Sequence, residues 1–460
     1  MGFEHIFRAY DIRGTWGKEL DSGRCLDIGA GLASFLIEEL GFSKVAIGQD
    51  VRTTSRSFHG AVVSALLSSG LDVLDAGTCA FGVAMFAGLK GGADASVYIT
   101  ASHLGPEWNG LKAYFGDGVG FPEEHIAAIG RRVMEGRTVS AGWEEQGSYR
   151  MVEALDSYIT FWKDRYGKQV VGRGLSVGVD PGGGAMCLSA SKVLGAIGAG
   201  VMSVNGEVDP FFRKRPSEPR PKELGALKGL VMDNGLSFGV AFDGDGDRAV
   251  VVDDTGRFLS TDRLGTLIAR SLVLEKGGGT VLANVESSMA LEDVLIPLGA
   301  RVKRIKVGHT FLTLEAKLER AIFGVERSGH LIVPEHVLFD DAIVAPLELL
   351  RMLSATGRPL HELVDSVPEH PSASIAVDCP DDTKFAVVAR LAERFKDSFE
   401  RVNTQDGVRV DMDDGWALIR CSNTSPVIRL TVEARSDGSL DRIKREFQGL
   451  LDEEMGTMGL

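Results

Sequence analysis

Residues 241–254, AFDGDGDRAVVVDD, put carboxylates at Asp243, Asp245 and Asp247, separated by single glycines, directly after an apolar run. In an extended loop, residues two apart face roughly the same way, so the three charges converge and repel unless a cation lies among them. The glycines permit a tight backbone, and an all-oxygen donor set suits a hard divalent ion, with magnesium the best fit. A solvated acidic turn is the competing reading. A calcium loop of the EF-hand type fails: its sixth position is Arg248 instead of glycine, its twelfth is Asp254 instead of glutamate, and a strand-like run precedes it.

Two further stretches carry chemistry. In YITASHLGPEWNGLKAY, residues 98–114, Ser102 stands at the mouth of a strand with His103 beside it and Lys112 farther on. A serine so placed serves as a nucleophile or phosphate carrier, or simply caps a turn. In RCSNTSPVIRL, residues 420–430, Arg420, Ser422, Asn423 and Thr424 share one short loop, with Arg429 just beyond. Hydroxyls, an amide, loop N–H groups and guanidinium groups together surround a dianionic phosphate; a polar hairpin turn before Pro426 is the alternative.

These loops need rigid supports. Short β-rich runs recur as KVAIGQD at 44, ASVYIT at 95, LSVGVD at 175, LSFGVAFD at 236, TVLANV at 280 and AIFGVE at 321, and helical patterns follow many of them. The alternation predicts α/β architecture with buried, largely parallel strands, whose carboxyl ends gather ligand-binding loops at one cleft. After residue 368 the pattern changes to a helix over 383–399 followed by strands and hairpins, an α+β unit. Polar stretches near 150, 254 and 368 divide the chain into 1–150, 151–253, 254–367 and 368–460.

Composition narrows the partners. The 460 residues are 44% hydrophobic and 25% charged, an ordinary globular balance. A net charge of −14 offers no global field for a nucleic-acid backbone or an anionic membrane surface. Five dispersed cysteines show no CxxC pairing, which argues against a disulfide framework or a thiolate zinc site. The N-terminal MGFEHIFRAYDIRG has charges where a signal peptide needs an apolar core, and no run reaches membrane-spanning length. The expectation is a cytoplasmic protein.

In order along the whole chain, FRAYDIRG (7–14), TASH (100–103), NGLK (109–112), DGDGDR (243–248), KVGH (306–309), ERSGH (326–330) and RCSNTSP (420–426) resemble the motifs of the α-D-phosphohexomutase family, which includes phosphoglucomutases and phosphomannomutases. The resemblance implies three related α/β domains with mixed, largely parallel sheets, plus a C-terminal α+β domain resembling the TATA-box-binding-protein fold. It implies an isomerase that moves phosphate between C1 and C6 of a mannose or glucose phosphate, as a monomer or homodimer, with hexose 1,6-bisphosphate as intermediate and activator. Ser102 then carries the phosphoryl group and, with Asp243, Asp245 and Asp247, binds Mg2+, which neutralises phosphate charge for in-line transfer.

By the same resemblance Glu326 and Ser328 contact the sugar, and Arg420, Ser422, Asn423, Thr424 and Arg429 hold the distal phosphate. Arg13, Arg248, Lys112, Lys306 and Arg420 are the candidates for making the cleft locally basic. His103, Lys112, Lys306, His309 and His330 are the candidates for proton transfer, unranked by sequence. Two positions depart from the family pattern: Leu104-Gly105 replaces the usual Asn-Pro, and Val325 stands where glycine is common. Thr100 stands where glucosamine-specific members carry serine, which argues against phosphoglucosamine. A degenerate mutase that only binds sugar phosphates, a phosphoglucosamine mutase and a magnesium-dependent phosphatase are the alternative functions.

Overall fold

All six of the apolar runs become strands, because β-branched and aromatic residues buried on both faces favour the interior of a sheet. The computed structural model describes residues 4–422 and 426–458. Its first sheet runs in the order Ile12–Thr15, Trp108–Phe115, Ala95–Ile99, Lys44–Gln49, Asp72–Thr78, Tyr149–Met151. The last four strands are mutually parallel and the first two antiparallel to their neighbours.

The second sheet follows the same plan: Phe258–Leu259, Ala249–Asp253, Phe238–Phe242, Ser176–Asp180, Gly200–Ser203, with an antiparallel edge and a parallel core. The third orders Ala300–Ile305, Gly279–Asn284, Phe323–Val325 and Leu331–Ile332, and only the last pairs antiparallel. The fourth is antiparallel throughout: Ser372–Asp378, Val427–Ala434, Gly415–Cys421, Val408–Met412, Val402–Asn403. The three α/β units and the antiparallel C-terminal unit are those expected from the sequence. Strand Tyr149–Met151 straddles residue 150, and the second sheet takes in Phe258–Leu259, beyond residue 253.

One apolar core threads the three α/β units. The helix Leu155–Val170 buries Tyr158, Trp162 and Tyr166, with Tyr158 against Phe86 of the first unit and Trp162 and Tyr166 against His336 of the third. Each such ring contributes roughly 1.5–3 kcal/mol by burial, so the units are welded rather than merely tethered. The C-terminal unit has its own core around Leu391, Phe395, Phe447 and Leu451. It touches the third unit through Trp416 and Leu418 on Val285.

Helix ends fall where local chemistry puts them. Thr261–Lys276 starts after Ser260, whose hydroxyl accepts the Arg263 N–H at 3.3 Å, and stops at Gly277, φ +71°. Its apolar Leu264, Leu267, Ile268 and Leu272 fall on one buried face. Among the described residues no helix is long and apolar enough to cross a membrane, and all five cysteines are free.

Candidate active site

Asp243, Asp245 and Asp247 follow the fully buried strand Phe238–Phe242. Gly246 adopts φ +86°, and a side chain on Gly244 would meet the Ser102 carbonyl oxygen at 2.7 Å. Glycine at both positions lets the acidic loop turn tightly and press against the serine loop. All three aspartates are 0% exposed, and their oxygens lie within 4.8 Å of one another.

Lys112, on the strand Trp108–Phe115, reaches into this cluster, 3.0 Å from Asp245 Oδ2 and closer still to Asp247 Oδ2. Burial alone would push its ammonium down, but Asp245 and Asp247 reverse this and hold it above the usual lysine range. Burial and mutual repulsion push Asp243 and Asp245 up, whereas at Asp247 the pull of Lys112, His330 and Arg248 outweighs burial and holds it well below the carboxylate range. Asp245 Oδ1 and Asp247 Oδ1 are buried without a hydrogen-bond partner among the described residues. Three converging carboxylates, two of them with orphaned oxygens, fit a hard divalent cation.

Ser102 leaves the strand Ala95–Ile99 and takes φ +52°, a left-handed conformation that costs a non-glycine residue roughly 1–3 kcal/mol. Its Oγ donates to Asp243 Oδ2 at 3.2 Å and lies 3.3 Å from His103 Nδ1. The nearby Arg248 charge, then burial, holds His103 well below the usual histidine range.

The third unit closes the site from the far side. Arg248 Nε donates to His330 Nε2 at 2.8 Å, while His330 Nδ1 lies 2.5 Å from Asp340 Oδ2. With Nε2 accepting, the ring proton sits on Nδ1, on the side of Asp340, though the two do not meet in hydrogen-bond geometry. Burial lowers His330 to about 4, with Asp247 opposing. His309 stacks on it at 5.5 Å and pairs with Tyr114 Oη through Nδ1 at 2.9 Å. Glu326 is buried, its Oε1 accepting the Gly308 N–H at 2.6 Å and its Oε2 the Ser328 hydroxyl at 3.3 Å. Burial pushes its carboxyl up.

Ser328 and Lys306 are exposed, the latter with Nζ 5.4 Å from the Phe311 ring centre. Arg13 is buried, its Nη2 2.5 Å from Asp11 Oδ2.

In the C-terminal unit Arg420 and Arg429 face each other directly across two antiparallel strands. Arg420 is held by Glu286, with Nη2 3.0 Å from Oε1, and by Asp406 at 3.6 Å. Asp406 also accepts the Val307 N–H at 3.0 Å, which ties this strand pair to the loop holding Lys306 and His309. Ser422 follows on a buried backbone, its N–H donating to the Val427 carbonyl at 3.0 Å. Asn423 and Thr424 lie outside the described residues.

Ser102, His103, Lys112, Arg248, His309, His330, Glu326 and the three aspartates thus form one buried or half-buried cluster, with Arg13 among the charges that act on its histidines. The Arg420 and Arg429 pair stands apart at the edge formed by the C-terminal unit. Asp340, Glu286, Asp406 and Tyr10, whose ring meets His309 edge-on at 5.1 Å, escaped the sequence reading. Tyr10 lies inside FRAYDIRG without having been singled out, and Asp340 left a signal as one of an aspartate pair inside the apolar stretch VLFDDAIVA.

Comparison with known proteins agrees with this architecture. The chain matches four family descriptions in order: phosphoglucomutase/phosphomannomutase alpha/beta/alpha domain I over residues 4–139, domain II over 156–256, domain III over 260–370 and the C-terminal domain over 375–450. It is 35% identical over 443 residues to a probable phosphoglucosamine mutase of Methanopyrus kandleri, covering 96% of each chain. It is 32% identical to a phosphoglucomutase/phosphomannomutase of Thermococcus kodakarensis, covering 94% of this chain and 95% of that one. A crystal structure of a phosphoglucomutase/phosphomannomutase family protein from Burkholderia thailandensis superposes with TM-score 0.89 at 27% identity, covering 98% of both chains. Matched across nearly all its length and in all four units, the chain belongs to the phosphoglucomutase/phosphomannomutase family, isomerases of the α-D-phosphohexomutase superfamily that transfer phosphate within a molecule.

Proposed function

We propose that the protein moves phosphate between C1 and C6 of a hexose phosphate, mannose or glucose, with Ser102 as the phosphate carrier. The observation that carries this reading is the Ser102 Oγ to Asp243 Oδ2 contact at 3.2 Å, which sets a hydroxyl at the edge of three buried carboxylates, two of which have orphaned oxygens. Asp243, Asp245 and Asp247 would hold magnesium together with the phosphorylated serine. The ion supplies charge neutralisation to the phosphoryl oxygens.

The chain's own groups do the rest. Lys112, kept protonated by two carboxylates, is a fixed cation beside the phosphoryl group rather than a base. Arg13 and Arg248 add positive charge where the transferred phosphate must lie. His330 is neutral and its Nε2 lone pair is taken by the Arg248 Nε–H, so it is suited to holding Arg248 in place rather than to taking a proton. Glu326 and Ser328 orient the ring hydroxyls. Arg420 and Arg429 hold the second phosphate at the opposite end, so the bisphosphate can turn and return its other phosphate to Ser102.

Phosphoglucosamine as substrate is a second reading, favoured by the Methanopyrus kandleri relative of that name. The case against it from Thr100 falls away. Thr100 Oγ1 lies 2.9 Å from Asp50 Oδ2 and 3.1 Å from Asp245 Oδ2, and accepts the Ser102 N–H at 2.8 Å, so it is fully engaged within the protein and does not face the sugar.

Intact mass before and after incubation with glucose 1,6-bisphosphate tests the carrier. Gain of one phosphoryl group, removed again by a hexose monophosphate, is the expected result. No gain would refute it, and steady release of free phosphate would mark a phosphatase instead.

A further inference from the structure

Arg52 lies on neither the acidic loop nor the sugar loop, yet it is 3% exposed and every one of its guanidinium donors is used. Nε donates to Asp50 Oδ2 at 2.8 Å. Nη2 donates to the carbonyls of Ser102 at 2.7 Å and Leu104 at 2.8 Å. Nη1 donates to the carbonyl of Trp108 at 3.3 Å and to that of Gly105. Four carbonyls of one irregular loop thus converge on one planar fork, a task a single ammonium cannot perform.

The other end of the pair is fixed just as firmly. Asp50 accepts the Ser55 hydroxyl at 2.5 Å and the Arg52 N–H at 3.0 Å. The Thr100 hydroxyl lies between Asp50 and Asp245 and receives the Ser102 N–H, so the fork, the serine backbone and the acidic triad share one connected network. A segment of the second unit completes it. Phe212 stacks under the guanidinium at 5.1 Å, and the Ser217 hydroxyl donates to the same Ser102 carbonyl at 3.0 Å.

We propose that Arg52 is a positioning residue for the transfer reaction: by gripping the carbonyls of 102–108 it holds Ser102 in its left-handed turn and keeps Oγ aimed at Asp243. This rests on the reading of Ser102 as the phosphate carrier. A left-handed serine relaxes to an ordinary backbone conformation when unsupported, and the rotation carries Oγ away from the triad. The flanking Leu104-Gly105 supplies no rigidity of its own, so the constraint comes from the arginine. Arg52 touches none of the proposed sugar contacts, and its loss therefore alters turnover rather than substrate affinity.

The test compares wild type with Arg52→Lys, which keeps the charge but not the fork. Hydrogen exchange of the peptide covering 101–108 should quicken by about tenfold or more, with the sheet strands unchanged. With magnesium, glucose 1,6-bisphosphate and a hexose 1-phosphate, kcat should fall by roughly 30-fold or more while KM moves less than about threefold. Unchanged exchange, a kcat within about twofold of wild type, or a loss carried wholly by KM would overturn the proposal. Should Arg52→Lys fail to fold, Ser217→Ala removes one hydrogen bond from the same carbonyl: a lower kcat at constant KM supports the clamp, and wild-type kcat overturns it. If the wild type itself turns over no hexose phosphate, the carrier reading fails, and the exchange measurement still decides whether Arg52 grips the loop.

Discussion

Ser102 Oγ lies 3.2 Å from Asp243 Oδ2 although the two residues are 141 positions apart and leave different sheets. The contact itself gains one modest hydrogen bond, and it brings the hydroxyl to the edge of the carboxylates that would hold a cation. Ser102→Ala should abolish phosphate transfer with little change in melting temperature. Asp245→Asn should cut kcat by about 10²-fold or more and weaken the dependence on magnesium. Wild-type turnover and metal dependence in Asp245→Asn would exclude it as a ligand.

Lys112 is the only lysine paired to the triad among the described residues. Removing one partner of a buried ion pair costs about 3–5 kcal/mol, because the remaining charge is left uncompensated. Lys112→Met should therefore melt well below wild type, and magnesium should raise its melting temperature more than it raises that of the wild type, since the ion then supplies the missing positive charge. Equal shifts in thermal denaturation with and without magnesium would show that lysine and cation do not share one electrostatic role.

Arg429 is exposed and stands directly opposite Arg420 on the neighbouring strand. Like charges so placed destabilise a sheet by a few tenths to about 1 kcal/mol unless an anion lies between them. Arg429→Ala should leave stability unchanged or raise it by about 0.5 kcal/mol, while KM for a hexose phosphate rises roughly tenfold through loss of a charge-assisted contact. Steady-state kinetics beside urea denaturation separates the two effects. An unaltered KM would remove Arg429 from the phosphate cradle.

The α/β core was legible because runs such as LSFGVAFD bury both faces, and a continuous apolar run allows few other fates. The DGDGDR loop was legible because all three carboxylates lie within five residues of chain. What joins them was not. Lys112 reaches the triad from a different sheet, and the pairing depends on how two units pack. Arg52 follows the strand Lys44–Gln49 closely, but nothing local shows that its fork spans fifty residues to 102–108. Asp340 comes within 2.5 Å of His330 Nδ1 through the path of the intervening chain, which no local pattern shows. The Arg420 and Arg429 juxtaposition follows from strand register, which a hairpin-like sequence suggests without fixing.

His336 bears on stability away from the cleft. It pairs with Tyr166 Oη at 2.9 Å, and burial, followed by the Arg165 charge, lowers it to about 4 from 6.5. The folded protein thus favours the neutral ring. Above pH 6.5 both folded and unfolded chains leave it unprotonated and its contribution is whole; as pH falls from 6.5 to 4 the unfolded chain takes up a proton first, and stability is lost. Discounted for its partial exposure, the loss is about 1–2 kcal/mol. Urea midpoints at pH 7 and pH 5 should differ less in His336→Gln than in wild type. An equal pH dependence would assign the loss to other groups.

Glucose and mannose differ only at C2. By the family resemblance Glu326 and Ser328 would contact the 3- and 4-hydroxyls and the proposed phosphate contacts would grip C1 and C6, so the groups proposed for the sugar leave C2 unread. Thr100, spent on Asp50, Asp245 and the Ser102 N–H, adds no contact at C2. Glucose 1-phosphate and mannose 1-phosphate should therefore be turned over with kcat/KM values within about two orders of magnitude, a gap of roughly 2.7 kcal/mol in transition-state binding. Assays of both, with glucosamine 1-phosphate alongside on one preparation, measure this directly. A far wider gap, or a strong preference for the amine, would mean that a group other than Glu326 and Ser328 reads C2.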